Sequence, residues 1–452
     1  MRLRWDDLRL LKKIKLFVSA LSVDKPIVTI RHQPAPKDLF RAHEILEEIL
    51  TKNIISFWYP QTIDLEDGGY RVPNDAQQQG KSRASKSLVG QARIVWFFSR
   101  LAQSKYGSTE HLKAAKHGYD FLYSRMWDAD FGGFYWEVDA ARPMATKTDK
   151  HLYGQAFGLF ALTEYAKASG DSAATAAARD LFNLFETHAH DGRYGGYREF
   201  FRRDWTVPDH EGYLGAPPTI KLMNTHLHLM EAITQYYLLT HDSGAKERLL
   251  ELIFVNGSSV VRKNVSACTD RYLDSWAPLQ GSRYDRVSYG HDVENVWLLA
   301  EACKAVEIPN SLLLDLFRSI FSYALRYGYD RKAGGFYDSG SFHARADRRE
   351  KILWVQAEGL VAALQMYRLT YEAVYWNCFL QTLDWIANYQ ANWEHGDWYE
   401  RVESNRKPAA VQEHVWKSPY HNGRAMVYCL DLLTGVCDRD PRVTESSQIA
   451  LG

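Results

Sequence analysis

From about residue 37 to about residue 433 the hydrophobic pattern is helical, and two kinds of helix alternate. Residues 88–103, 151–166, 225–239, 293–306, 353–369 and 422–433 are apolar on nearly every side. A helix without a polar face is buried on all faces. Residues 110–126, 172–187, 245–254, 310–327 and 373–389 instead keep one polar face, as does 37–52, which follows Pro36. The pattern predicts twelve helices, six enclosed and six half-exposed. Asp171 and Asn310 stand where N-caps are expected for two of the half-exposed helices.

A short phrase punctuates this alternation. It reads Gly68-Gly69-Tyr70, Gly132-Gly133-Phe134-Tyr135, Gly195-Gly196-Tyr197 and Gly334-Gly335-Phe336-Tyr337, with a weaker copy at Gly396-Asp397-Trp398-Tyr399. The first glycines are 64, 63, 139 and 62 residues apart, so the long gap is two periods, and a degenerate copy is expected around Arg271-Tyr272. One period holds two helices and a loop, and paired glycines supply the positive φ of tight hairpins. The expected fold is an (α/α)6 barrel: six inner helices line a funnel, six outer ones pack behind, and short β-hairpins decorate the rim. Short connections make neighbouring helices antiparallel, so all inner N-termini should open on one mouth. The barrel is assigned to residues 36–437, with an N-terminal extension at 1–35 and a C-terminal tail at 438–452.

Composition narrows the function. Lysine plus arginine equals aspartate plus glutamate at 55 each, so no net field favours nucleic acid or an anionic membrane. The 14 Trp, 27 Tyr and 20 Phe exceed what a core strictly needs and suit a ligand with flat apolar faces, such as a sugar. Five cysteines with no Cys-x-x-Cys pair argue against a disulfide framework or a zinc site and fit a reducing cytoplasm. No apolar run reaches the roughly 18 residues of a membrane span. Residues 14–22 are interrupted by a lysine and are read as an extension rather than a signal peptide.

The inner helices begin with residues that pack badly. Arg93, His151 with Tyr153, Asn224 with His228, His291 with Glu294, Trp354 with Glu358, and His421 with Asn422 stand near the starts of six different helices. Burying such groups unpaired costs several kcal/mol, so they must serve one another or a ligand. Asn224 and His228, and likewise Trp354 and Glu358, are four apart and share a helix face. His226 and His228 are two apart and diverge, and no other cluster has metal-ligand spacing, so no metal is expected. Each group also has a plain structural explanation: a buried histidine satisfied in the core, or Arg93 paired with a carboxylate such as Glu358.

The segments Lys221-Leu-Met-Asn-Thr-His-Leu-His-Leu-Met-Glu-Ala232, Tyr289-Gly-His-Asp-Val-Glu294, Trp354-Val-Gln-Ala-Glu358 and Trp416-Lys-Ser-Pro-Tyr-His-Asn422 resemble the N-acylglucosamine 2-epimerase superfamily, and within it the cellobiose 2-epimerase branch. The resemblance runs from about residue 37 to 435. It implies an (α/α)6 barrel and cofactor-independent epimerisation at C2 of a reducing-end sugar. It also implies that His291 and His421 form the acid/base pair and that His228 serves ring opening and sugar binding. Arg93, Asn224, Glu294, Trp354, Glu358 and Trp416 match sugar-contacting positions, and Tyr153 joins them by its place on the second enclosed helix. Leu353, where the branch often has a second tryptophan, and Asn295-Val296 depart from the pattern.

Imidazole titrates near neutrality, so one histidine can remove the C2 proton while another returns a proton to the opposite face. Arg93 suits the oxyanion of the intermediate cis-enediolate. The expected partner is a mono- or disaccharide, and the expected assembly a monomer or homodimer. An aldose–ketose isomerase would use the same enediolate. A glycoside hydrolase built on Glu294 and Glu358, or a non-catalytic sugar-binding toroid, is a more distant alternative.

Overall fold

A computed structural model describes residues 30–71, 85–409 and 416–437, and Leu16 besides. Twelve long α-helices appear: α1 Pro36–Glu48, α2 Leu88–Ala102, α3 Thr109–Phe121, α4 Leu152–Ser169, α5 Ser172–Leu184, α6 Met223–Thr240, α7 Ser243–Phe254, α8 Tyr289–Ala305, α9 Leu314–Tyr327, α10 Leu353–Thr370, α11 Ala373–Trp385 and α12 Tyr420–Cys437. The even-numbered helices form the inner ring, each packed on the next, and α12 closes the circle against α2. Each odd-numbered helix lies behind an inner one, with α1 backing α12, so the ends of the barrel complete the sixth pair. The (α/α)6 expectation therefore holds. Thirteen of the fifteen residues of α2 are buried, as an apolar-all-round sequence requires.

Outer helices α1, α3, α5, α7 and α11 end in a widened π turn, such as Leu122–Met126 after α3, before the chain enters a rim hairpin. The glycine phrase shapes that hairpin. Gly132 and Gly133 sit at φ of 69° and 71°, and Trp127 bridges back to Phe134. Among the described residues, the strand after each hairpin from Gly132 onward pairs antiparallel with the strand that precedes a neighbouring inner helix. Lys150–His151 pairs with Phe200–Phe201 in this way, and Ile220–Leu222 with Arg271–Leu273. This stitching orients the inner helices alike and gathers their N-termini at one mouth.

Two expectations need correction. The degenerate hairpin is not at Arg271-Tyr272 but at Ser266-Ala267-Cys268: Ser266 has φ of 60°, and its N–H bonds to the Arg262 carbonyl as Gly132 bonds to Asp128. Serine tolerates this left-handed geometry poorly, which hid the copy. Asp171 does cap α5, its Oδ1 accepting from Ala173 N at 2.8 Å. Asn310 caps nothing; it lies inside a 3-10 turn before α9, and its side-chain oxygen has no hydrogen-bond partner.

The period also carries a polar spoke that hydrophobicity does not reveal. In four repeats an aspartate four residues before the first glycine grips a buried lysine at the foot of an inner helix: Asp64–Lys86 at 2.7 Å, Asp128–Lys150 at 3.0 Å, Asp191–Lys221 at 2.7 Å and Asp330–Lys351 at 3.0 Å. A glutamine one turn up α2, α4 and α10 clamps both backbone groups of the aromatic residue. Gln155, for example, accepts from Phe134 N at 2.8 Å and donates to Phe134 O at 2.7 Å. In α6 His226 replaces it, accepting from Tyr197 N at 2.9 Å. Of the 1–35 extension, residues 30–32 run along the start of α11, where His32 N bonds to Tyr371 O at 2.8 Å; the stretch at 14–22, Leu16 aside, and the tail at 438–452 lie outside the described residues.

Candidate active site

The mouth is built by backbone capping. The carbonyls of Trp136, Glu199, Asp270, Asp338 and Glu400, each just beyond a rim hairpin, accept from the first N–H groups of α2, α4, α6, α8 and α10. Those N–H groups are orphans in any helix, and here the neighbouring repeat satisfies them. The side chains of the first helical turns are thereby held in one funnel.

Arg424, in the second turn of α12, is the hub of the funnel floor. Its guanidinium is 1% exposed and meets three carboxylates: Glu231 through Nη1, and Glu294 and Glu358 through Nη2 at 2.9 and 2.8 Å. The network reaches two histidines. Glu358 Oε1 lies 2.7 Å from His421 Nδ1, and Glu231 Oε2 lies 3.1 Å from His228 Nδ1. Trp297 Nε1 donates to the other oxygen of Glu358 at 2.9 Å, and the Tyr420 hydroxyl donates to Glu231. With Nδ1 held by a carboxylate, each ring keeps its proton there and leaves Nε2 with the lone pair.

Burial sets the charge states. It drives His421 well below the usual histidine range, with Arg93 and Arg424 adding to the effect. Burial also takes His228 down to about 4, although Glu231 opposes it, and it lowers His291 against the pull of Asp270 and Asp338. All three imidazoles are therefore held in the neutral form, with a lone pair free to accept a proton. Burial raises Glu294 well above the carboxylate range, reinforced by the charge of Glu358 and opposed by Arg424. Burial alone would raise Glu231 too, but Arg424 and His228 outweigh it and hold that group low.

Arg93 differs from Arg424. It is 6% exposed, lies 4.3 Å from the Phe157 ring and 4.7 Å from the Tyr420 ring, and donates to the Tyr153 hydroxyl at 3.0 Å. No carboxylate of the described residues lies within ion-pair reach of it, so the suggested pairing with Glu358 is not made; Arg424 takes that place. A buried cation without an anion is costly unless a ligand supplies one. Asn224 gives a parallel signal, since its side-chain oxygen is buried without a hydrogen-bond partner.

His291 and His421 approach the Trp354 ring at 4.8 and 5.8 Å between centroids. Trp416 stacks on Tyr153 at 5.7 Å and meets Trp136 edge-on, forming an aromatic shelf beside His228. The structure thus brings all ten sequence-selected residues to one funnel. Glu294 gives one carboxylate oxygen, Oε1, to Arg424. His151 serves as the N-cap of α4, accepting from Tyr153 N at 3.3 Å, and burial lowers it to about 3.

Glu294, Glu358 and His421 place ligand atoms within 4.8 Å of one another, a spacing suited to a metal ion. The cation there is already Arg424, whose Nη2 donates to both carboxylates. Arg424, Glu231, Tyr420 and Trp297 escaped sequence reasoning. Their signal was present: opposite charges on helices with no wet face, with Glu231 three residues after His228 and Arg424 four after Tyr420.

Residues 68–425 match the N-acylglucosamine 2-epimerase family. A cellobiose 2-epimerase of Ruminococcus albus is 32% identical over 399 residues, which span 86% of this chain and 98% of that protein. A cellobiose 2-epimerase of Bacteroides fragilis is 29% identical over 394 residues, 86% of this chain and 97% of the relative. The structure of cellobiose 2-epimerase from Bacillus thermoamylovorans superposes with a TM-score of 0.79 at 28% identity, covering 87% of this chain and 99% of the other. Family match, relatives and barrel agree, and the chain belongs to the N-acylglucosamine 2-epimerase family.

Proposed function

We propose that this protein is a carbohydrate 2-epimerase that inverts C2 of the reducing-end aldose of a cellobiose-type disaccharide. The observation that carries the reading is the buried, carboxylate-free guanidinium of Arg93 in a funnel of neutral histidines. Such a site accepts a proton and stabilises the negative charge that the transfer creates. His228 assists ring opening through Nε2, its Nδ1 being held by Glu231. One of His291 and His421 then takes the C2 proton, leaving a cis-enediolate whose oxygen faces Arg93. The other, once it has taken up a proton from solvent, delivers it to the opposite face of C2, the first releases its proton to solvent, and the ring closes. Nothing is oxidised or reduced, so the chain's own side chains suffice.

Trp354 lies beside both histidines and fits the reducing-end ring. The Trp416–Tyr153–Trp136 shelf fits a second sugar, which favours a disaccharide. Incubation with cellobiose in D2O, followed by NMR, tests the proposal. The expected product is the glucosyl-mannose epimer, deuterated at C2. A ketose as the main product would make the protein an aldose–ketose isomerase, and release of free glucose would make it a hydrolase.

A further inference from the structure

The fourth residue of each inner helix from α2 to α10 meets the rim hairpin beside it, and α8 departs from the residue types of the others. Gln91, Gln155 and Gln356 hold that place in α2, α4 and α10, each accepting from the backbone N–H of a hairpin aromatic and donating to its carbonyl. His226 holds it in α6, accepting from Tyr197 N and meeting the Leu222 carbonyl through Nδ1 at 2.8 Å. All four are neutral groups that accept one hydrogen bond and donate another. In α8 the place belongs to Asp292, and in its hairpin Cys268 takes the aromatic's position opposite Val261, as Phe134 stands opposite Trp127. Asp292 is fully buried, and its Oδ1 accepts from Cys268 N at 2.7 Å. Its Oδ2, which stands in for the glutamine nitrogen, is buried without a hydrogen-bond partner.

A carboxylate has no proton to donate, and a buried charge without a counter-ion is costly. The titratable groups that face Asp292 are the Cys268 thiol from the hairpin, Tyr289 from its own helix and Tyr323 from α9, none of them a cation. We propose that Asp292 is a positioning residue that works as a carboxylic acid, its proton taking the part of the glutamine amide and its grip on the hairpin setting His291 and the foot of α6. Burial drives its carboxyl well above the ordinary carboxylate range, although the hydrogen bonds with Cys268 pull the other way. Through Cys268 it holds the turn that carries Asp270, whose carbonyl accepts from Met223 N at 2.7 Å and whose Oδ1 accepts from Asn224 N at 3.2 Å. Asn295, three residues along α8, donates to Cys268 Sγ at 3.3 Å and to the Asn256 carbonyl at 2.9 Å, so two side chains of one helix grip the same hairpin. His291 directly precedes Asp292, and Asn224 starts from the Asp270 cap, so one clasp sets both. The effect on turnover rests on the epimerase reading, whereas the proton on Asp292 is read without it.

A proton kept by the folded state and shed by the unfolded chain stabilises in full below the unfolded value of about pH 4, and that effect is lost as pH rises. Asp292→Asn supplies the donor at every pH, and Asp292→Ala removes the clasp. The infrared difference spectrum of the unmodified protein minus Asp292→Asn, at neutral pH, should show the carbonyl stretch of a protonated carboxyl. Urea unfolding between about pH 5 and about pH 9 should show the unmodified protein's midpoint falling relative to that of Asp292→Asn as pH rises. Both readouts use only the asparagine protein, so they stand if the alanine protein fails to fold. With cellobiose, Asp292→Ala should lower kcat about 10²-fold with KM much less changed, and Asp292→Asn should restore most of the loss. No protonated-carboxyl band, or midpoints that run parallel across the pH range, would overturn the inference. So would Asp292→Asn losing as much kcat as Asp292→Ala, or neither losing any. An unmodified protein that leaves cellobiose unchanged would refute the epimerase reading instead, and the band and the midpoints would still decide the state of Asp292.

Discussion

Replacing Arg424 with methionine removes the one cation shared by Glu231, Glu294 and Glu358 while keeping most of the side-chain volume. Breaking a buried ion pair from one side costs about 3–5 kcal/mol, because an uncompensated charge stays behind. Glu294 is already pushed toward its neutral form, so Glu231 and Glu358 carry most of the penalty. The deficit has a definite pH dependence. Arg424 holds Glu231 below the ordinary carboxylate range, so its stabilising effect is present above the unfolded value near pH 4.5 and is lost as pH falls through the folded value. The variant lacks that contribution, and its shortfall should be largest at neutral pH and shrink toward acid. Urea unfolding of both proteins at about pH 7 and in steps below about pH 4.5 would show it. A shortfall of the same size at neutral and at acid pH would refute the electrostatic account and leave lost packing as the cause. Activity offers a second readout: Arg424 helps to lower His421, so the acid limb of the rate profile should move to higher pH in the variant.

Other substitutions probe separate parts of the account. Arg93→Met should lower kcat by about 10²–10³-fold, with KM much less affected, if the guanidinium acts on the developing oxyanion; steady-state kinetics on cellobiose would show this. Trp416→Ala should reduce kcat/KM for cellobiose several-fold and leave that for glucose nearly unchanged, because the shelf would contact only the distal ring. Glu199 is pushed up to about 8, first by burial, and its Oε2 has no partner, as suits a protonated carboxyl. The folded state then holds a proton that the unfolded chain lacks, so stability from this group is present in acid and is lost as pH rises from about 4.5 to about 8. Glu199→Gln should remove about 1.4 kcal/mol per pH unit from that slope, measured by urea unfolding across the window. Gly133→Ala places a Cβ at positive φ and 2.7 Å from Trp205, and should cost about 1–3 kcal/mol by the same measurement.

The helical ring was legible because each repeat restates it. Burial on every side marks the inner helices, and the paired glycines mark where each outer helix turns back. The candidate site residues stand out in the sequence at the inner N-termini, where a histidine or arginine interrupts an apolar pattern. Arg424 was not, because it stands a full turn inside α12, where a charge reads as a stray substitution until its three carboxylates are seen around it. Those partners come from α6, α8 and α10, and no spacing along the chain encodes that meeting. Ser266 hid its hairpin for a different reason: the backbone geometry survives without the glycine that advertises it elsewhere. The aspartate–lysine spokes were in view as a periodic pair but carry no hydrophobic signal, so a reading based on periodicity passed over them.

The central claim is that His291 and His421 serve opposite faces of one sugar carbon, and isotope exchange in single variants tests it most directly. His291→Asn and His421→Asn would each be incubated in D2O with cellobiose and, separately, with its C2 epimer, and deuterium at C2 followed by NMR. Each variant should lose inversion yet still exchange the C2 proton of one epimer, and the two variants should exchange different ones. A variant that still interconverts the epimers, or two variants that exchange the same epimer, would contradict the assignment.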